Sequence, residues 1–316
     1  MFAARCIGVS LAVFFLIYVM LSLALSRGWI AVEPFLRRLP ARRYANLLFT
    51  LRVLPLVLSA LITLAFTLPS FLLLEPRSSG EWIGVGPLLL GLSCISLFTY
   101  GVRRAITAQV RTSHVVAGWL NGASAMESRP GIPVFRTGKH TPTLTVVGLR
   151  EPKVLVSENA ISALTPEELQ TALRHEAAHI RARDNMKKLL FRFSAFPGMG
   201  GLEYAWSQAA EMAADDDAVS SFRDALDLAA ALIKLSRQSP APPSAELATA
   251  LLHSSTESLK ARVQRLFACD TAHASQNARR SWWYLLPPVA ALLLGLVIAY
   301  PTLISHMHTF TEWLVQ

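Results

Sequence analysis

Cysteine is scarce in this chain of 316 residues, which contains only Cys6, Cys94 and Cys269. No two of these cysteines stand at the short spacing that is typical of a cysteine-based metal site or of a disulfide framework. The composition therefore argues against both classes of protein, and it fits a reducing compartment.

Charged residues are also few, at 16%, whereas 53% of the residues are hydrophobic and the mean hydropathy is +0.39. This composition excludes an ordinary soluble domain. The net charge of +9 is uneven, because residues 1–153 hold sixteen Lys or Arg against five Asp or Glu, whereas residues 154–316 hold fourteen against sixteen. The basic excess follows membrane topology, so we expect no direct nucleic-acid partner.

Four apolar segments account for the hydrophobic excess, and each is close to the 20 or so residues that cross a hydrocarbon core. They lie at about residues 7–25, 53–74, 82–106 and 282–305. A cleaved signal peptide is the alternative for the first segment, but its apolar run is long and no clear small-x-small cleavage site follows. We predict a membrane region over residues 1–106, a separate domain over 107–281, and a fourth transmembrane helix with a short tail over 282–316.

Basic residues flank these segments unevenly and predict their orientation. Six arginines and one glutamate lie between the first and second segments, whereas one arginine and two glutamates lie between the second and third. Arginines also follow the third segment and precede the fourth. By the positive-inside rule, residues 107–281 face the cytoplasm and both termini lie outside. The predicted location is the cell (inner or plasma) membrane, with membrane lipid as a partner.

The strongest chemical signal is the run H-E-A-A-H, from His175 to His179. On a helix, side chains four residues apart project from one face, so the two imidazoles can take two corners of a tetrahedral metal site. Glu176 falls beside them, where its carboxylate can take a proton from a metal-bound water. We therefore predict that Glu176 is the catalytic base.

The residues around this run predict that it lies on a helix. Thr165 and Glu168 have the spacing of a capping box, and Pro166 stands at the first helical position. Apolar residues then recur at helical spacing, which predicts an amphipathic helix over about residues 166–183. The alternative is a surface helix that carries two histidines by chance.

A second acidic run, E-M-A-A-D-D-D, begins at Glu211. Glu211 would complete a set of two histidines and one glutamate around one Zn²⁺ ion per chain, leaving a fourth position for water as catalytic zinc requires. Glu203 is the alternative third ligand. Glu211 is favoured because Asp215 follows one turn later on the same face, where it could accept the second N–H of a liganding histidine.

Two further groups of residues have roles that the sequence leaves open. Tyr204, Arg174 and His253 are candidates for the donor that stabilises an oxyanion during peptide hydrolysis. Arg262 and Arg265 are either membrane-proximal charges or contacts to the zinc domain.

Short β-like runs precede the zinc helix, at about residues 133–136, 144–147 and 153–156. An exposed strand edge can hold an extended peptide by backbone hydrogen bonds. One of these strands is therefore predicted to hold the substrate, with Val154 and Val156 as the positions to test. The alternative is a hairpin that only packs on the helix. The predicted fold class is mainly α, a polytopic membrane protein with four transmembrane helices and a cytoplasmic α+β zincin-like metallopeptidase domain.

Three runs carry a family resemblance: V-G-L-R-E-P-K-V-L-V-S, R-H-E-A-A-H-I-R-A-R-D-N and E-M-A-A-D-D-D-A-V. With the arrangement of three spans, a zincin domain and a fourth span, they resemble the gluzincin-like membrane zinc metallopeptidases of the BlaR/MecR antirepressor family. The resemblance implies that His175, His179 and Glu211 bind zinc and that Glu176 is the base. It also implies that the protease acts on a cytoplasmic protein, such as a transcriptional repressor, after a signal from outside.

The sequence departs from that family in one respect. The antibiotic receptors carry a large extracellular penicillin-binding domain after the fourth span, whereas this sequence stops at Gln316. We therefore expect a separate sensor subunit rather than direct β-lactam sensing. Ste24/HtpX-like membrane quality-control proteases are the alternative enzyme class. The alternative without enzymatic activity is a membrane signalling scaffold with a structural metal. Glu176 favours an enzyme, because a structural site has no use for a base.

Overall fold

The structure is a computed structural model that describes residues 2–75, 84–126, 133–138, 141–237, 247, 249–250, 256–267 and 286–315. It is mainly helical, with a small mixed sheet. The chain divides into two compact units: unit 1 consists of residues 1–28, 53–100 and 277–316, and unit 2 of residues 29–52 and 101–276.

Long apolar helices occupy the first third of the chain. They are α1 (Phe2–Leu36), α2 (Ala41–Ile62), which continues through a π-helical turn (Thr63–Thr67) into α3 (Leu68–Leu74), and α4 (Val85–Leu120). Among the described residues, the three stretches Phe2–Leu36, Ala41–Leu74 and Val85–Leu120 are long and apolar enough to cross a membrane. They contain the first two predicted segments and residues 85–106 of the third, and they indicate a membrane protein.

Helix α11 (Leu286–Val315) lies over most of the fourth predicted segment, whose first residues fall outside the described part of the chain. The fourth span and the orientation of the chain stay predictions.

An apolar cluster and a buried ion pair stabilise the described part of unit 1. Val9, Val13 and Phe71 form an apolar cluster between α1 and α3. Arg5 Nη1 lies 3.1 Å from Glu75 Oε1, and both side chains are buried. A π-helical turn interrupts the regular hydrogen-bond ladder of a helix, and the carbonyl of Ala65 within it accepts a hydrogen bond of 2.9 Å from Tyr300 of α11.

Unit 2 contains a mixed sheet. Its described strands are β1 (Ser124–Met126), β2 (Val134–Thr137), β3 (Leu144–Val147), β4 (Lys153–Ser157) and β5 (Thr249–Ala250), in the order β1-β2-β4-β3-β5. The β2–β4 pair is parallel and the other pairs are antiparallel. The three predicted β-like runs are thereby confirmed as strands.

The prediction that Val154 and Val156 lie on an exposed substrate edge is wrong. Val154 of β4 pairs with Val134 of β2 on one side and with Val146 of β3 on the other. Since β4 is an interior strand, its backbone groups already bond to neighbours and offer no edge to a peptide.

After the sheet's fourth strand, the described part of unit 2 is helical, with α5 (Glu158–Ala163), α6 (Pro166–Ala182), α7 (Asp184–Phe193), α8 (Gly200–Ala218), α9 (Phe222–Ser236) and α10 (Thr256–Phe267). The last part of α4 also belongs to unit 2, where its Trp119 packs against Val147 and Leu155 of the sheet.

The apolar core joins Leu144 and Val156 of the sheet to Ala172 of α6 and to Leu228 and Leu232 of α9. Helix α6 packs against α8, α9 and β3, so it is central to unit 2.

The start and end of α6 follow from local sequence. Thr165 Oγ1 accepts a hydrogen bond from the Glu168 backbone N–H, and Glu168 Oε2 accepts one from the Thr165 N–H, which confirms the predicted capping box. Arg183 adopts a left-handed conformation with φ of 54°, which ends α6 and allows α7 to begin at the next residue in a new direction.

Candidate metal centre

Helix α6 presents the two motif histidines from one buried face. His175 is fully buried and His179 is 2% exposed. Their Nε2 atoms lie 3.1 Å apart, so both imidazoles point at the same small volume. The four-residue spacing of the motif produces this convergence, because it brings the two side chains to the same side of the helix.

Helix α8 supplies the third group. Oε2 of Glu211 lies 3.5 Å from His175 Nε2, and Oε1 lies 3.6 Å from His179 Nε2. One ligand atom from each of these three residues lies within 4.8 Å of the others. The close approach of α8 to α6 is possible because the buried face of α8 is rich in small side chains, namely Ala209, Ala210, Ala213 and Ala214.

The alternative ligand Glu203 lies elsewhere. Its Oε1 accepts hydrogen bonds from Arg52 of α2, at 3.1 Å from Nε and 2.8 Å from Nη2. Arg52 is itself buried and also donates to the Ser194 carbonyl at 2.7 Å. Glu203 therefore serves an ion pair that joins α2 to α8 within unit 2.

The chemistry of this cluster fits a divalent metal ion. Two imidazole nitrogens and a carboxylate are the usual protein ligands of such an ion when a water takes the remaining position. Both carboxylate oxygens of Glu176 are buried and have no hydrogen-bond partner among the described residues. A buried carboxylate without a partner is costly, which indicates that a group from outside the chain, such as water or substrate, completes this site.

Each histidine is oriented by its own carboxylate. His175 Nδ1 lies 3.0 Å from Asp215 Oδ1, and His179 Nδ1 lies 2.7 Å from Asp184 Oδ2. A carboxylate beside Nδ1 fixes the tautomer and the ring orientation, and it leaves Nε2 for the metal. At His179 this contact is a hydrogen bond, whereas at His175 it is a contact at ion-pair distance. The structure thus places Asp215 in contact with a histidine, as the sequence analysis predicted for it, and adds Asp184 in the matching position.

Each of these orienting carboxylates also contacts a cation. Lys187 Nζ lies 3.1 Å from the second oxygen of Asp184. Arg262 of α10 donates to both oxygens of Asp215, at 2.8 Å and 2.6 Å, and its Nη1 lies 3.0 Å from Glu211 Oε2. Of the two roles left open for Arg262, the contact with the metal domain is confirmed.

Arg265, one turn later on α10, pairs with the Asp216 carboxylate at 2.7 Å on the exposed surface. It therefore also contacts the domain.

The charges at this site shift the pKa of several groups. Burial alone would lower the pKa of His175, but its contacts with Asp215 and Glu211 outweigh burial and raise that pKa to about 9. Burial would raise the pKa of Glu211, yet the positive charge of Arg262 and the neighbouring histidines lower it to about 2. The carboxylates of Glu211 and Asp215 therefore favour a positive charge at the neighbouring imidazoles, which a proton or a metal ion can supply.

Glu176 has the opposite shift, because burial raises its pKa to about 7. A carboxyl group with such a pKa can exchange a proton near neutral pH, as a general base requires.

The sequence alone does not indicate Asp184 as a site residue, and it indicates Arg262 only as one of two arginines with an open role, not as a contact of Glu211 and Asp215. Asp184 follows His179 by five residues, a spacing at which side chains do not share a helix face, and it reaches the ring only because Arg183 breaks the helix between them. Arg262 belongs to a helix that is distant in sequence. The run R-A-R-D-N directly after the motif was the available signal for Asp184.

The candidate oxyanion donors have different surroundings. Tyr204 is 61% exposed on α8. Arg174 donates to Asp224 at 2.6 Å and to Thr171 at 3.0 Å, so its guanidinium already binds α9. His253 lies outside the described residues. The oxyanion role stays a prediction for all three.

Comparison with known proteins agrees with the geometry. Residues 145–264 match the model of Peptidase family M48. This range begins in β3, contains the metal-ligand cluster and Glu176, and ends in α10 with Arg262. No curated protein matches the chain. The match does not distinguish the BlaR/MecR type from the Ste24/HtpX-like alternative. Residues 145–264 are therefore similar to a metallopeptidase domain of family M48, in a chain whose apolar helices indicate a membrane protein.

Proposed function

We propose that this protein is an integral-membrane zinc metalloendopeptidase that hydrolyses peptide bonds of a cytoplasmic protein. The observation that carries the proposal is the convergence of His175, His179 and Glu211 beside the buried carboxylate of Glu176, which has no hydrogen-bond partner in the described part of the chain. Three ligands and an adjacent base are the composition of a catalytic zinc site.

The chain's own residues have separable roles in this reaction. A zinc ion held by the three ligands would supply a Lewis acid that polarises the peptide carbonyl and acidifies water. Glu176 takes a proton from the attacking water and passes it to the leaving amine, tasks that suit a carboxyl group whose pKa burial raises to about 7. Asp215 and Asp184 keep the imidazoles turned so that Nε2 of each faces the ligand position.

A structural metal site is the competing interpretation, and two features of unit 2 weigh against it. Structural zinc sites are usually closed by four protein ligands, whereas the cluster has three among the described residues. Burying Glu176 without a partner also costs stability, and a site that only held the domain together would gain nothing from it.

The regulatory role rests on the family resemblance and on charge. The arginines around the first apolar segments support a cytoplasmic metal domain, and with it a cytoplasmic protein substrate. Within this proposal the protease triggers the removal of a regulator, such as a transcriptional repressor, after a signal from outside the cell. A Ste24/HtpX-like quality-control role is the second candidate, because the M48 match is equally consistent with it.

The test is a comparison of cells that produce the wild type, Glu176→Gln or Glu167→Gln. Glu167 is exposed in the first turn of α6, so its variant is a matched control for the loss of one carboxylate from the same helix. We expect Glu176→Gln to retain zinc and lose proteolysis, and Glu167→Gln to match the wild type. The substrates are read out by quantitative proteomics of protein termini.

The outcomes separate the parts of the proposal. Full proteolysis by Glu176→Gln would show that the base is misassigned. Purified wild-type protein without zinc would exclude the metallopeptidase itself. Cleaved termini confined to damaged membrane proteins would favour the quality-control role over the regulatory one.

A further inference from the structure

One buried arginine of unit 2 is not used by the reaction described above. Arg262 lies on α10 and is only 2% exposed. Its Nε and Nη2 donate to the two oxygens of Asp215, and its Nη1 lies 3.0 Å from Glu211 Oε2. One guanidinium thus contacts both the proposed metal ligand on α8 and the carboxylate that orients His175.

The geometry of the two carboxylates explains why an arginine suits this place. Glu211 and Asp215 are four residues apart on α8, so two negative groups stand side by side in a buried site. A guanidinium is planar and presents its N–H groups in a fixed fork, which can hold two carboxylates at defined angles. A lysine has one rotatable ammonium and cannot fix both.

We propose that Arg262 is a positioning residue for the metal centre, which holds the carboxylates of Glu211 and Asp215 in the orientations that the two imidazoles require. The inference rests on the proposed metal site and adds α10 to it as the element that completes it. Arg262 donates hydrogen bonds to Asp215 and forms an ion pair with Glu211, and it acts on the metal centre through these two carboxylates.

The competing explanation is that Arg262 only stabilises the fold. Helix α10 also packs through apolar side chains, with Leu266 buried and Leu259 and Val263 partly buried in the core of unit 2. In that case the loss of Arg262 would lower the melting temperature of the domain, whereas the folded protein would bind metal as before.

The chain offers a matched control on the same helix. Arg265 pairs with Asp216 of α8 at 2.7 Å, and both side chains are more than 40% exposed. The variants Arg262→Met and Arg265→Met therefore each remove one arginine of α10 from one aspartate of α8, and they differ in whether that aspartate touches the histidine pair. Arg262→Lys keeps the positive charge but removes the planar set of guanidinium N–H donors.

The experiment measures the zinc dissociation constant of the purified full-length chain in detergent by competition with a chromophoric chelator. We expect Arg262→Met to weaken zinc binding by about 10- to 100-fold, the usual effect of removing a group that orients metal ligands. Arg262→Lys should recover less than half of the lost zinc affinity on a logarithmic scale. The zinc dissociation constant of Arg265→Met should stay within about twofold of the wild-type value, because an exposed ion pair contributes little.

Cobalt substitution gives a second readout that a merely structural role would not change. The visible absorption of bound Co²⁺ reports its ligand geometry, so Arg262→Met saturated with Co²⁺ should differ from the wild type, whereas Arg265→Met should not. If Arg262→Met does not fold, only Arg262→Lys is measured. The proposal is then overturned if Arg262→Lys has the same zinc dissociation constant and the same cobalt spectrum as the wild type.

Three further outcomes would count against the positioning role or against the metal site itself. Zinc affinity and cobalt spectrum unchanged in folded Arg262→Met would overturn the positioning role and leave the metal site standing. Equal weakening in Arg265→Met would also overturn it, because the effect would then be one of general charge. A wild-type chain that binds no zinc would instead contradict the metal site on which the inference rests.

Discussion

The loss of the Asp184 carboxylate charge should weaken metal binding without removing any ligand. Asp184 Oδ2 lies 2.7 Å from Nδ1 of His179, its other oxygen lies 3.1 Å from Lys187 Nζ, and its side chain is 3% exposed. Burial would raise the pKa of Asp184, but its contacts with His179 and Lys187 hold that pKa below the usual value. The group is therefore an ionised acceptor at neutral pH, and Asp184→Asn replaces it with a neutral one of the same shape.

The expected magnitude follows from the nature of this hydrogen bond. Bonds to ionised groups contribute about 1.5–3 kcal/mol, and neutral ones about 0.5–1.5 kcal/mol. The substitution should therefore cost about 1–2 kcal/mol of metal-binding free energy, which is roughly a 5- to 30-fold weaker affinity. This range overlaps the roughly 10- to 100-fold losses typical of groups that orient a metal-bound histidine.

The assay is zinc competition with a chelator, on wild type, Asp184→Asn and Asp216→Asn. Asp216 is an exposed aspartate that pairs with Arg265, so its variant controls for the loss of one charge. Since Asp184 also lies in the first turn of α7, its loss should lower the stability of the metal-free protein by about 0.3–1 kcal/mol. That effect is measured separately by thermal unfolding. An unchanged zinc affinity in Asp184→Asn would refute the reasoning.

Two further predictions concern stability, both measured by unfolding of the purified chain in detergent. A Cβ at Gly101 of α4 would overlap the carbonyl oxygen of Phe193, so Gly101→Ala should lower the free energy of unfolding by about 1–3 kcal/mol. The control is Gly118→Ala on the same helix, where an added Cβ meets no other atom, and this variant should raise the free energy of unfolding by up to about 1 kcal/mol. Equal changes in the two variants would contradict the prediction. The hydrogen bond from Arg174 lowers the pKa of Asp224, so the wild type should be more stable than Asp224→Asn at neutral pH. This difference in stability should be lost as the pH falls below about 4, because the carboxylate is then protonated in the unfolded chain and the ion pair no longer favours the folded state. A difference that does not depend on pH would contradict a stabilising ion pair.

Helix α6 could be predicted from the sequence because its determinants are local. The capping box at Thr165 and Glu168 sets its start, and the four-residue spacing of the histidines sets the geometry of two ligands. Glu211 required one further step, the inference that Asp215 one turn later would orient a histidine, and the contact of Asp215 with His175 supports that choice.

The remaining parts of the site depend on tertiary structure. Asp184 reaches His179 through a left-handed residue at Arg183, a conformation that sequence patterns rarely reveal for a residue other than glycine. Arg262 reaches Asp215 only because α10, which is distant from α8 in the sequence, packs against α8.

The place of β4 could not be predicted for the same reason. Pairing with β3 follows from a short connection, whereas the parallel pairing with β2 joins strands that are not consecutive in the chain.

The most direct test of the metal centre is X-ray absorption at the zinc edge on the purified full-length protein and its Glu211→Ala variant. Two imidazole nitrogens at about 2.0–2.1 Å and oxygen neighbours at about 2.0–2.2 Å are expected in the wild type. Glu211→Ala should lose zinc or show an altered oxygen shell. Sulfur neighbours near about 2.3 Å, or a spectrum that is identical in wild type and Glu211→Ala, would contradict a centre built from His175, His179 and Glu211.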